Sequence, residues 1–407
     1  MAGIEFPAEL QKKIEETGPV DLMVGIAGPA SREELCRRAS ACLSGLAGKT
    51  VVAYAGGAEE EPAACSSGGI QLAAYPMPPT ANSFTFWADI AAAQKSVFAL
   101  AAAWGARTCL MLHSDLSALE GPCARALLGP VMQGEADLMM PLYQTGKYDG
   151  LISKGLLAPM SRALYGRRVR FPLALDFCLG SRVLPKFVER GHRHENGAAE
   201  LLWPANTVAM AGGQIGQTSI SFQHELHIGD LDLSAILTEF AGSLFQEAEV
   251  HAAEWQRVRG SQPVARYGEP IEEKLDAHPV DPRPMVESFV LGSRNLQEVW
   301  RLVLPPATML ELKRLARLTP EQFRMPDALW ARIVYDFALA HRMRRMSRSH
   351  VLGALTPLYL GWVASYTQEV GAATGEEAER RLEQLARAYE EQKPYFVSRW
   401  RWPERAS

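Results

Sequence analysis

The chain has 407 residues, enough for two or three domains, and its 47% hydrophobic and 22% charged content is that of an ordinary globular protein. A formal net charge of -4 gives no electrostatic basis for binding nucleic acid or an anionic membrane surface. No apolar run reaches the length of a bilayer span, and no basic stretch followed by an apolar core opens the chain, so neither a membrane span nor a secretory signal is expected.

A charged helix over 9–17 is stopped by Gly18-Pro19, and an apolar strand over 20–27 follows. A second helix begins at Ser31, with Ser31 and Glu34 spaced as a capping box. Strands over 50–55 and 69–75 flank an acidic, then Gly/Ser-rich loop at 58–69. After a Pro-rich stretch at 76–84 comes a helix over 84–104, closed by Gly105, and then a buried strand ending at Leu112. That strand runs into the polar triplet His113, Ser114, Asp115. Strands alternating with helices imply βαβ units and a mostly parallel sheet, whose ligands sit outside the carboxyl ends of the strands.

The next segment has a strand over 137–143, a turn at 147–150, a helix through Ala163 and a basic turn from Gly166 to Arg170. Residues 171–177 lead into a helix from about Gly180. Apolar and Gly/Gln stretches at 203–226 end in His224 and His227, and a long helix spans 233–255. A composition shift at 257–285 reads as a linker. Beyond it the pattern is helical, over 286–303, 307–317, 327–345, 350–369 and 375–391, with Trp330, Ile333, Val334 and Phe337 on one apolar face. The domain expectation is therefore 1–256, a linker over 257–285, and an all-α domain over 286–407.

Six cysteines, at 36, 42, 65, 109, 123 and 178, make no CxxC pair; reduced, buried thiols in a cytoplasmic protein are expected, with neither a zinc site nor a disulfide framework. His113 and Asp115 project from one strand end, and with His227 they would make a three-ligand site favouring Mn or Zn over Mg. Asp115 equally caps a following helix, with Ser117 and Glu120 in its first turns. Asp176, beside Phe171 and Phe177, is either a part-buried general base or a helix cap. Lys147, Arg167, Arg168 and Arg170 would receive an acidic acceptor or a phosphate, or form a solvated face. No Walker A, no GxGxxG after a strand and no GxSxG is present.

Two blocks carry a resemblance. The first is PLYQTGKYDGLISK at 141–154 with PMSRALYGRRVRFPLALDF at 159–177. The second is LWARIVYDFA at 329–338, LTPLYLG at 355–361 and KPYFVSRW at 393–400. These resemble the GT-A glycosyltransferases, related to family 2, that make glucosylglycerate, glucosyl-3-phosphoglycerate and mannosylglycerate. The resemblance implies an α/β GT-A fold with a C-terminal all-α domain. It also implies a nucleotide-sugar donor over the first half of the sheet, a divalent metal (Mn or Mg) on a DxD motif, and a small acidic acceptor such as glycerate near the second half. Asp115 matches the second Asp of that motif, with His113 in place of the first, and His227 matches the metal-ligand histidine. Asp176 matches the acidic residue near the acceptor, the candidate catalytic group, and Lys147, Tyr148, Asp149 and Arg170 fall in the block implied to bind substrate.

The chain departs from the family pattern mostly on the donor side. The Gly-Lys-Gly-Asn-Ala loop has no counterpart, its nearest stretch being 89–94; Ala30 replaces Asn, Tyr54 precedes Ala-Gly-Gly where an Asp is usual, and Asn206 replaces Asp. Ala174 and Leu175 replace two glycines before Asp176. Gln94 and Lys95 are the nearest groups to take over phosphate contacts. Two functions are expected on this basis: transfer of a hexose from a nucleotide sugar to a small acid, or a non-catalytic homologue that binds a ligand or partner. A homodimer is compatible with either.

Overall fold

A computed structural model describes residues 6–43, 45–46, 48–56, 63–65, 69–76, 86–113, 122–191, 201–220, 233–269 and 280–403. The chain forms two compact units that are not consecutive in sequence. The first takes the described residues of 1–144, 171–225 and 264–271; the second takes those of 145–170, 226–263 and 272–407. Residues 145–170 and 226–263 thus go with the C-terminal helices, whereas the sequence reading kept both with the first domain up to residue 256.

The first unit is α/β. Its strands are β1 (Leu22–Pro29), β2 (Thr50–Ala55), β3 (Ala63–Ala64), β4 (Ile70–Tyr75), β5 (Thr108–Leu112), β6 (Leu138–Tyr143), β7 (Phe177–Gly180), β8 (Ile215–Ile220) and β9 (Ala265–Tyr267). They form one mixed sheet in the order β3-β4-β2-β1-β5-β7-β6-β8-β9. β4, β2, β1 and β5 run parallel, and every residue of β2 and β5 is buried, as continuous apolar runs covered on both faces require. β7 is antiparallel to both β5 and β6, and β8 and β9 run parallel to β6. The carboxyl ends of β1, β2, β4, β5 and β6 and the start of β7 therefore share one rim.

The helix Phe86–Ala103 packs on β1 because Gly25 offers no side chain; a Cβ there would lie 2.1 Å from Val97 Cγ1. The expected linker contains β9, whose Arg266 pairs with Gln217. β7 stands where a loop running straight into a helix was expected, and the helix starts later, at Leu184. Glu34 does not close a capping box at Ser31: its carboxylate takes Arg37 and Arg38, and those pairs hold it down at about 2. Cys36 and Cys65 are bonded, with Cα atoms 5.4 Å apart, which corrects the expectation that all thiols are free. The sequence lacks a paired motif because the bridge joins a helix to the residue after β3. Cys42, Cys109, Cys123 and Cys178 are free and buried.

The second unit is helical. A π-helical turn, Ser153–Leu157, runs into the helix Ala158–Tyr165. The helices Leu233–Val250 and Ala252–Trp255 and those from Arg283 to Arg401 complete the described helices of this unit. The expected single helices over 286–303 and 350–369 are each two, broken at Leu296 and at Ala354-Leu355. The last helix, Gly375–Arg401, outruns its expected end because its buried face, Leu385, Tyr389, Phe396 and Trp400, keeps helical spacing past Pro394. Its start carries a complete capping box of Thr374 and Glu377. Aromatic rings fill the core: Phe396 stacks on Trp255 at 4.9 Å and on Tyr335 at 4.5 Å, and Trp362 stacks on Trp330 at 6.1 Å. No described helix is long and apolar enough to cross a membrane.

Candidate functional site

The strand order reverses beside β1: the chain moves outward through β2 to β4, then returns to place β5 on the other side. In an open α/β sheet the crevice outside the carboxyl ends at such a reversal is the favoured ligand position. β1 delivers residues 27–30 to it, and β5 delivers His113.

His113 is the first residue after β5, and Asp176 the last before β7. The two strands are antiparallel with Met111 opposite Phe177, so these residues meet at the rim. One Asp176 carboxylate oxygen accepts the His113 backbone N–H at 3.0 Å, and the other accepts the hydroxyl of Tyr143, the last residue of β6, at 3.3 Å. Asp176 is 0% exposed. Burial, and then the adjacent carboxylate, push the Tyr143 hydroxyl well above its usual range, so it stays protonated and donates. The Tyr143 ring meets Phe171 edge-on at 5.3 Å. The trio ties the ends of β5, β6 and β7 and fixes the backbone from which residues 114–121 depart. The His113 side chain is itself buried.

On the other side of β1, the Tyr75 hydroxyl donates to the Ile26 carbonyl at 2.5 Å, and burial pushes its pKa up. Arg32, which opens the helix after β1, donates to the hydroxyl of Tyr54. Tyr54 thus meets a cation near the end of β2.

Asp115 and His227 lie outside the described residues. Among the described residues no group of three or more His, Cys, Asp or Glu is placed to hold a metal ion. His113 is the only member of the expected trio whose position is described, and one imidazole does not make a hard-cation site.

The residues expected to bind substrate belong to the helical unit and are engaged within it. Lys147 donates to the carbonyls of Gly371 at 3.1 Å and Ala373 at 3.2 Å, satisfying the end of the helix Thr356–Val370, and its ammonium lies 5.2 Å from the Tyr148 ring centroid. Asp149 accepts the Gly146 N–H at 2.9 Å and closes the turn. Arg170 grips Glu379 with both guanidinium arms, at 2.6 and 2.5 Å. Sequence reasoning missed Arg162, which is 5% exposed and bonds Glu383 and Glu390. It also missed Lys154, buried on the Gly146 carbonyl at 2.7 Å. The only signal for either was a cation on an otherwise apolar helix face.

No protein-family model matches the chain, and a search of curated proteins finds no match.

Proposed function

We propose that the chain is a glycosyltransferase-like protein with a GT-A domain, which binds a nucleotide sugar at the rim beside β1 and β5 and transfers its hexose to a small acidic acceptor. The observation that supports it is the placement of His113, at the carboxyl end of β5 beside the reversal in strand order. In this reading Asp176 acts through the backbone: it holds the exit of β5 so that His113 and the residues after it meet the diphosphate. A divalent cation, Mn or Mg, bound by Asp115, His227 and His113 would supply charge neutralisation for the diphosphate leaving group. The test is a calorimetric screen of UDP-, GDP- and ADP-sugars with and without Mn²⁺, followed by product analysis with glycerate. Micromolar, Mn²⁺-dependent binding and a glycosylated acid support the reading; silence across the set overturns it.

A second reading, a non-catalytic homologue that binds a ligand or partner, is favoured by one observation. Both oxygens of Asp176 already carry protein donors, and Arg170 already carries a carboxylate. Nucleotide-sugar binding without transfer to any small acid selects this reading.

A further inference from the structure

A cleft of about 470 Å³ opens in the helical unit, lined by none of the residues proposed above to bind donor, metal or acceptor. Its walls come from the turn at 258–260 and from the last turns of the helix Gly375–Arg401. Three cations line it: Arg259, Lys393 and Arg401. Its one carboxylate, Glu390, is already taken by Arg162 at 3.0 and 3.2 Å. Among the described residues neither Arg259 nor Arg401 pairs with a carboxylate.

The cations are positioned, not loose. Gln256 holds both arginines: its backbone carbonyl accepts from Arg259 at 2.9 Å and its side-chain oxygen from Arg401 at 2.7 Å. Lys393 is 6% exposed and donates to the carbonyls of Val258 at 2.9 Å and Leu164 at 3.3 Å. An ammonium has three donors, so one remains for the cleft. Burial, and then the Arg259 charge, depress Lys393 to about 8 against the pull of Glu390. Collecting positive charge in this way is unfavourable unless an anion shares the space. The remaining lining is Gly260, Ser398 and the apolar Val258, Pro394 and Val397, and Trp402, which also lines it, is 57% exposed. An exposed indole beside cations is a platform for a flat ring.

We propose that this cleft binds a phosphorylated small molecule, a phosphate monoester carried on a flat apolar body. The phosphate sits among Arg259, Lys393 and Arg401, where guanidinium forks suit its geometry. The flat body lies against Trp402 and Val397. Such a site is independent of whether the sheet rim binds a nucleotide sugar.

The experiment is isothermal titration calorimetry on the full chain with phenyl phosphate, inorganic phosphate and benzoate. Saturable binding of phenyl phosphate is expected, weaker binding of inorganic phosphate, and weaker still of benzoate. Arg259→Ala with Arg401→Ala, both exposed, should lower phenyl phosphate affinity roughly tenfold or more, with circular dichroism unchanged. Trp402→Ala should weaken phenyl phosphate several-fold and leave inorganic phosphate as it was. No saturable binding up to millimolar, equal affinity in the double arginine variant, or benzoate bound as tightly as phenyl phosphate would each overturn the proposal.

Discussion

Substituting Asp176 separates a positioning role from a catalytic one. The carboxylate is fully buried and accepts two protein donors, the His113 N–H at 3.0 Å and the Tyr143 hydroxyl at 3.3 Å. Asp176→Asn keeps an acceptor for the His113 N–H but turns an amide NH2 toward the Tyr143 hydroxyl, which must then accept rather than donate; with the lost charge assistance the loss is about 1–2 kcal/mol. Asp176→Ala removes both acceptors in a place water does not reach. Each donor left short costs about 1–3 kcal/mol, with the longer tyrosine contact at the low end, so the alanine variant should lose about 2–4 kcal/mol. Urea unfolding followed by far-UV circular dichroism reads this as a lower midpoint with an unchanged slope for the transition of the α/β unit. The expected order is wild type, then Asn, then Ala. If Asp176→Ala is as stable as wild type while Asp176→Asn abolishes a measured transfer, the clamp reasoning fails and Asp176 returns to the role of general base.

Three further outcomes follow from the helical unit. Gly155→Ala puts a Cβ 2.1 Å from Trp362 Cη2, and overpacking of that kind should cost about 1–3 kcal/mol, read in a thermal melt monitored by tryptophan fluorescence. Arg162→Met leaves Glu390 without its cation and Glu383 with Arg387 alone, a loss of about 2–3 kcal/mol in urea unfolding, and adding Glu390→Gln should recover part of it. His341 is buried near Arg348 and Arg344; burial first, then those charges, lower its pKa from 6.5 to about 3. The unfolded chain therefore binds the proton first, and stability falls as pH drops below 6.5; His341→Leu should remove about 2–3 kcal/mol of that loss between pH 7 and about pH 4.5, measured by urea unfolding at both values.

Periodicity and apolar runs made β1, β2, β4, β5 and β6 legible, because a parallel sheet buried on both faces needs continuous apolar strands. β7 was not, since Phe177-Cys-Leu-Gly is short and its identity comes from pairing with β5, a partner far away in sequence. β9 was hidden for the same reason inside a Pro- and Arg-containing stretch. The meeting of His113 with Asp176 depended on register across antiparallel strands, and Asp176 itself was legible only as a carboxylate next to aromatic residues. The Cys36–Cys65 bond was invisible because spacing carries no information about a helix and a strand edge brought together by the fold.

The block at 141–177 illustrates why a resemblance in sequence and a site are different things. Its cations would read as receptors for an acid. Yet Lys147 binds the Gly371 and Ala373 carbonyls, Lys154 binds that of Gly146, Arg162 binds Glu383 and Glu390, and Arg170 binds Glu379. An acidic acceptor could use Arg170 only by displacing Glu379, trading one two-armed carboxylate contact for another at nearly equal energy while freeing a charge on the helix Gly375–Arg401. Arg167 and Arg168 differ: among the described residues their side chains bond the neutral Gln262 and Ser261, at 2.9 and 3.0 Å, with the Arg168 charge also felt at Glu383. Lys147, Arg162 and Arg170 tie residues 145–170 to the C-terminal helices, which gives each a structural role without any ligand. The cations of this block are thus engaged inside the helical unit, whereas His113 stands at the sheet rim where β5 ends.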